Sequence, residues 1–398
     1  MKKILHTVIL LSLTLSLYAQ RNPLIPGPGT DSIVTRGQWE EYGRKELLNL
    51  FRTKMYGCSP QRPKDIRYIV FDEDWNALGG KAIRKQVRIL WEGKDDGVYT
   101  DILIYLPIDP EGKAPVLLGL NFEGNQTVTT DPNVRISEAY AENPNYFFRC
   151  TGVVDNRATE ASRGSNSDDW PIDRILERGY GIATAYREEI ASDRKPYFST
   201  GLHLLYPELQ ERNDNFATIS AWAWALSRIA DYLESDPLID RDRIGVFGFS
   251  RLGKTALWAG AQDERFSVVI SQMSGAGGAK LFRRFIGEDI HRLCTVFPHW
   301  YCKNFAEYEG KDDELPFDQN QMMSLIAPRA LYVSSALDDR MSDPEGEYEG
   351  LMSTLPIYRL YTHHPPIGYH IRPGGHDVLP LDWDNYLNFL DMIWKENQ

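Results

Sequence analysis

The chain of 398 residues is poor in cysteine, in net positive charge and in long apolar runs. It has four cysteines, Cys58, Cys150, Cys294 and Cys302. None sits in a Cys-x-x-Cys pair or beside histidine at zinc-finger spacing, so no metal site is expected. Four cysteines allow three pairings, and the sequence does not choose among them. They read as small, mostly buried residues with at most one bridge. Lys and Arg number 44 against 56 Asp and Glu, for a net charge of −12. That sign repels phosphate backbones and anionic membrane surfaces, which excludes nucleic acid and a lipid surface as expected partners. The one continuous apolar run, Ile4–Leu17, is shorter than the ~18 residues of a membrane span. There is no internal repeat, no low-complexity tract and nothing that asks for an organic cofactor.

What is present begins at the N-terminus. Lys2 and Lys3 precede the apolar run, and Tyr18-Ala19-Gln20 ends it on a small residue. This is the layout of a secretory signal peptide over residues 1–19. It places the mature protein in the periplasm or outside the cell, where disulfides are permitted. No cysteine stands near the cleavage point to carry a lipid. Residues 20–38 are rich in Pro and Gly and read as an extended arm. The remainder, 20–398, reads as a single catalytic domain, expected to be a monomer. Aromatic residues make up 12%, with 10 Trp and 21 Tyr. Such rings stack on sugars, but most large rings fill cores.

A helix is expected over Trp39–Met55. Strands follow at Ile66–Phe71, Ile83–Trp91 and Asp101–Leu106, β-branched and partly alternating, which suits antiparallel pairing with one wet face. The rhythm then changes to short, continuously apolar strands at Pro115–Leu120, Gly181–Ala185, Arg243–Phe247, Ser267–Ile270 and Ala330–Ser334. Helices at Ala217–Leu233, Leu252–Ala261 and Trp383–Trp394 alternate with them. That pattern predicts an α/β fold: a mostly parallel sheet covered on both faces, with antiparallel N-terminal strands. Long loops at 121–170 and 271–328 should lie over the C-terminal strand ends, where ligands bind in such sheets.

Gly248-Phe249-Ser250-Arg251-Leu252-Gly253-Lys254 lies between a strand and a helix, the setting of a nucleophile elbow. The second Gly comes one position later than in Gly-x-Ser-x-Gly, with Leu252 in its place. Ser250 is the candidate nucleophile. The helix N-terminus behind it, with Arg251 and Lys254 in the same turn, favours an oxyanion. A serine nucleophile needs a base and a group that orients the base. His376, in Pro373-Gly374-Gly375-His376-Asp377 just before the last helix, is where this fold puts the base, in the chain order Ser, acid, His. His370 alternates with apolar neighbours and reads as structural. His363 and His364 precede Pro365-Pro366 and read as a surface turn. His291 and His299 could line the cleft but precede the expected acid. Two sheet positions could supply the acid. The first reads Ser271-Gln272-Met273-Ser274 and has no carboxylate. The second reads Ala336-Leu337-Asp338-Asp339-Arg340 and offers two.

From about Asn121 to the C-terminus the chain resembles the bacterial glucuronoyl esterases, carbohydrate esterase family 15. The resemblance is carried by Leu118–Phe122, Arg178–Gly181, Gly248–Lys254, Trp258–Phe266, Phe297-Pro298-His299-Trp300 and Ile326–Ala330. Asp343-Pro344-x-Gly346-Glu347 and Gly368–Arg372 complete it. It implies an α/β-hydrolase three-layer sandwich and a serine esterase. The substrates implied are glucuronoyl or 4-O-methyl-glucuronoyl esters that link xylan to lignin alcohols. It further implies Ser250 as nucleophile, His376 as base, Asp339 rather than Asp338 as acid, and Arg251 as oxyanion stabiliser. Lys254, Glu288, Trp300 and Met341 would face the sugar. Three features depart from the family pattern. Met341 stands where many members have Trp. Val296 stands for Gln, and Gln126 and Asn320 stand where several bacterial members have His. The departures touch the sugar pocket, so an esterase for acetyl or other uronoyl esters is an alternative. With no carboxylate at Met273, an inactive polysaccharide-binding relative is another.

Overall fold

A computed structural model describes residues 33, 35–108, 112–144 and 151–395. The expected signal peptide and most of the arm lie outside these residues. The arm is shorter than expected at its end: Thr35 already caps a helix, its hydroxyl accepting from the Gln38 N–H at 3.2 Å while its own N–H donates to the Gln38 side chain at 3.0 Å. The chain is helical from Arg36 to Tyr56, with the α-helix α1 (Arg44–Phe51) flanked by π-helical turns at Trp39–Gly43 and Arg52–Tyr56.

Nine strands form one sheet: β1 (Arg67–Asn76), β2 (Ala82–Leu90), β3 (Tyr99–Pro107), β4 (Ala114–Asn121), β5 (Gly181–Tyr186), β6 (Ile239–Phe249), β7 (Phe266–Gln272), β8 (Ala330–Ala336) and β9 (Ile367–Arg372). Their spatial order is β1-β2-β3-β5-β4-β6-β7-β8-β9. β1, β2 and β3 pair antiparallel, and β3 runs antiparallel to β5. From β5 to β9 every pairing is parallel. The change in rhythm after residue 107 marks this switch. β4 and β5 are buried along their whole length because helices cover both faces. β1 is longer than expected and its register breaks at Phe71, so its apolar residues do not alternate cleanly.

On one face lie α1, α3 (Thr218–Ser235) and α4 (Arg251–Gln262), packed into a core with Trp222 and Trp258. On the other lie α2 (Ile172–Glu177) and α6 (Pro380–Trp394), around Phe247, Trp383 and Tyr386. These are the three layers of the α/β-hydrolase arrangement. α5 (Pro344–Met352) follows β8, starting one residue after Asp343. Among the described residues no helix is long and apolar enough to cross a membrane. Cys58, Cys294 and Cys302 are free thiols, and Cys150 lies outside the described residues.

One buried carboxylate ties α5 to the strand ends. Glu347 accepts from the Gly275 N–H at 2.9 Å and the Ser335 hydroxyl at 2.6 Å. Burial is the largest influence and pushes its carboxyl from 4.5 up to about 8, with the two hydrogen bonds offsetting only part of this. A folded value above the unfolded one means that the fold is favoured by the protonated form below pH 4.5, and that this gain is lost as pH rises through about 8. The melting temperature should therefore fall across that window, and Glu347→Gln should flatten the fall. Melts at a series of pH values check this; an unchanged slope in the variant would refute it.

Candidate active site

Ser250 sits between β6 and α4 with φ 56° and ψ −127°, a left-handed conformation that side chains rarely adopt. Strain of this kind persists only where the surroundings enforce it. Here the Ser250 N–H donates to the Gln272 carbonyl at 2.9 Å, and the Ser250 carbonyl accepts from Gly253 and Lys254 N–H at 2.8 and 3.1 Å. A Cβ at Gly248 would lie 1.9 Å from the Leu252 carbonyl oxygen, so strand and helix can meet only over a glycine. The displaced second glycine is explained by the same geometry. Leu252 is 2% exposed and packs into the core, whereas a Cβ at Gly253 would lie 3.0 Å from the Ser274 Cβ. The close approach falls at 253, not 252.

The His376 Nε2 lies 2.9 Å from the Ser250 Oγ, and its Nδ1 lies 2.6 Å from the Asp339 Oδ2. Of the two aspartates, Asp339 is the one that reaches the imidazole. Asp338 is exposed and serves the loop through its backbone, its N–H donating to the Gly374 carbonyl at 3.0 Å. Burial would raise the Asp339 carboxyl, but hydrogen bonds from His376 and Ser342 outweigh it and hold the group below its usual value. Met273 occupies the other acid position, buried with φ 47°. The Phe249 ring centroid lies 4.6 Å from that of His376.

The His376 loop is held from below by two residues that sequence reasoning did not single out. Buried Arg372 donates to the Pro373 carbonyl at 3.0 Å and the Asp377 carbonyl at 2.6 Å, bracketing His376. Its Nε donates to Asp382, which also accepts from Gln272 at 2.9 Å and lies 2.8 Å from His370 Nε2. His370 is thus a structural residue. Arg372 ends one of the segments that carry the family resemblance, which was the available signal.

The remaining site residues divide. Arg251 is the first residue of α4, where backbone N–H groups point out of the helix end. Its Nη1 donates to Asp193 at 2.6 Å. Lys254 departs from the expected sugar contact. Its buried ammonium donates to the Ser274 and Ala276 carbonyls at 2.6 and 2.7 Å and to Glu288 at 3.0 Å, which uses all three donors. Glu288 is the partly exposed member of that pair, and its N–H donates to the Met341 carbonyl at 2.9 Å. Trp300 also departs. It is 2% exposed and its indole N–H donates to Asp193 at 2.6 Å, so it presents no open face to a sugar. Met341, 43% exposed, lies on the rim, and Val296 is exposed. Gln126 and Asn320 are buried, with Gln126 donating to the Ser162 hydroxyl at 3.3 Å. His291 pairs with Glu309 on the surface, whereas His299 is buried against Asp193. Among the described residues no group of three His, Cys, Asp or Glu could hold a metal. The arrangement can activate a hydroxyl and accept its proton.

The sequence model for glucuronyl esterases of fungi matches residues 173–361. A carbohydrate esterase of an unknown prokaryotic organism is 39% identical over 392 residues, covering 94% of this chain and 89% of its own. The solved glucuronoyl esterase of Solibacter usitatus is 39% identical, covers 93% of this chain and 98% of its own, and superposes with a TM-score of 0.85. A solved esterase from a marine bacterial metagenome, described as promiscuous, is 38% identical, covers 93% and 96% of the two chains and has a TM-score of 0.85. The 4-O-methyl-glucuronoyl methylesterase of Podospora anserina is 37% identical over 169 residues, 40% of this chain and 35% of its own. The three prokaryotic relatives each cover 93% or more of this chain at 38% identity or above, so the chain belongs to carbohydrate esterase family 15, the glucuronoyl esterases.

Proposed function

We propose that the protein is an exported serine esterase that cleaves glucuronoyl and 4-O-methyl-glucuronoyl esters joining xylan to lignin alcohols. The observation that carries the esterase reading is the Ser250–His376–Asp339 relay, with separations of 2.9 and 2.6 Å. The substrate class rests on family membership and on the named activities of the relatives.

His376 takes the Ser250 proton as the oxygen attacks the ester carbonyl. Asp339 stays ionised as the imidazolium forms, because its carboxyl is already held low. The charge developing on the carbonyl oxygen meets the Arg251 backbone N–H, the positive end of α4 and the Arg251 guanidinium. His376 returns its proton to the departing alcohol. Water then attacks the acyl-enzyme by the same groups and releases the uronate. The ester is uncharged at its carboxyl, so the net charge of −12 does not oppose its approach. The released uronate carries a negative charge and is repelled. Glu288 and Met341 border the acyl side and bear on which acid is accepted.

Exposed Met341 favours a second reading within the same chemistry, an esterase for acetyl or other uronoyl esters. Met341 makes a smaller and more flexible contact than the Trp of many members. The binding-only reading loses its motive, since Asp339 supplies the carboxylate that Met273 does not.

Ser250→Ala should lower kcat by a factor on the order of a million, and Asp339→Asn by about ten thousand, with KM little changed in both. Steady-state kinetics with retained melting temperature check this; wild-type rates in Ser250→Ala would exclude the mechanism. Benzyl glucuronate should be cleaved in preference to benzyl galacturonate and to acetyl esters. A preference for either of the others moves the substrate while leaving the triad in place.

A further inference from the structure

Asp193 belongs to none of the sequence motifs that mark the nucleophile, base or acid. It follows the C-terminal end of β5 and the short helical turn Arg187–Ile190. Its carboxylate is largely buried and meets four side chains. Oδ2 accepts from Arg251 Nη1 at 2.6 Å and forms an ion pair with Arg187 Nη1 at 2.9 Å. Oδ1 accepts from Trp300 Nε1 at 2.6 Å and lies 2.8 Å from His299 Nε2. Three hydrogen bonds and one further ion pair thus meet the two oxygens. Two guanidinium groups and the His299 hydrogen bond hold the acid far below its usual value despite burial.

The partners are themselves held by further contacts. Arg187 also donates to Glu188 at 2.6 Å. Tyr197 stacks on His299 with centroids 4.1 Å apart. Phe297 stacks on Trp300 at 3.7 Å and an interplanar angle of 3°. The Arg251 guanidinium carbon lies 4.9 Å from the Trp300 ring centroid and 5.5 Å from that of Phe297. Asp193 therefore grips one edge of the guanidinium while the ring pair backs its face. A free arginine side chain samples many rotamers. A donor lowers an oxyanion barrier fully only if it need not reorganise when charge appears.

We infer that Asp193 is a positioning residue for catalysis: it fixes the Arg251 guanidinium beside Ser250, with His299 and Trp300 holding Asp193 in turn. This rests on the reading of Arg251 as oxyanion stabiliser. It assigns the Phe-Pro-His-Trp segment to the oxyanion side of the reaction and not to sugar recognition. A purely structural charge cluster would have the same contacts but would not couple to Arg251 in the rate.

The test is a double-mutant cycle on the full chain, using whichever of p-nitrophenyl acetate and benzyl glucuronate is turned over faster. The choice of ester separates this inference from the substrate assignment, since cleavage of p-nitrophenyl acetate alone would move the substrate and leave the cycle readable. Arg251→Ala should cost about 100-fold or more in kcat. Asp193→Asn, which keeps the shape and removes the charge, should cost up to about 100-fold in kcat with KM unchanged. In the Arg251→Ala background the Asn substitution should cost no more than about twofold, because the group it positions is gone. Losses that multiply in the double mutant, or an Asn variant with wild-type kcat, overturn the inference. If melting shows that Asp193→Asn does not fold, Trp300→Phe removes one donor to the same carboxylate and keeps the ring. Its loss, about tenfold, should likewise vanish in the Arg251→Ala background, and multiplicative losses there overturn the inference equally.

Discussion

The turn at Ser250 sets the terms for everything around it. A serine at φ 56° cannot be held by its own preferences, so β6, β7 and α4 must close on it from three directions. The carbonyl of Gln272 holds its N–H, and Gly248 and Gly253 let helix and strand approach closely enough to do so. Once the hydroxyl is aimed, the positions open to a base are few. The loops after β8 and β9 supply acid and base because these strands are the next two beyond β7, on the same side of the nucleophile.

The loops that carry these groups are fastened by buried acids, each used several times over. Asp382 fastens the His376 loop through Arg372, Glu347 joins α5 to the ends of β7 and β8, and Asp193 holds Arg251. Removing an arginine partner from Asp193 or Asp382 leaves an uncompensated buried charge, typically worth about 3–5 kcal/mol, whereas an exposed pair such as Arg36–Glu40 is screened by water. The apolar core reaches these loops as well, through Phe282, Trp300 and Phe305 on one side and Val128 and Val378 on the other, so the acids fasten segments that are also packed.

Eight of the nine strands were legible because each signal is local: apolar runs for the parallel strands, amphipathic periods for the helices, a glycine beside a serine for the elbow; β9 and α2 were not among the expected elements. The length of β1 was not legible, since the bulge at Phe71 breaks alternation. Ser250 and His376 could be found from their neighbours, and the choice of Asp339 followed from alignment with relatives. Asp193 could not, because its meaning lies in four partners up to more than a hundred residues away. Trp300 was misread for a related reason. An aromatic residue near a sugar-enzyme site suggests stacking, but an indole N–H that has an acceptor inside the protein turns the ring inward.

The fastening of His376 to Asp382 also has a bearing on biogenesis. The base depends on a carboxylate in the first turn of the last helix, and that helix packs under β6 and β8. A nascent chain that has already brought out Ser250 and Asp339 still has an unanchored base. Hydrolytic power therefore arrives only once α6 has docked. A chain built this way stays inert until its base is anchored, so folding and activity are gained in the same step.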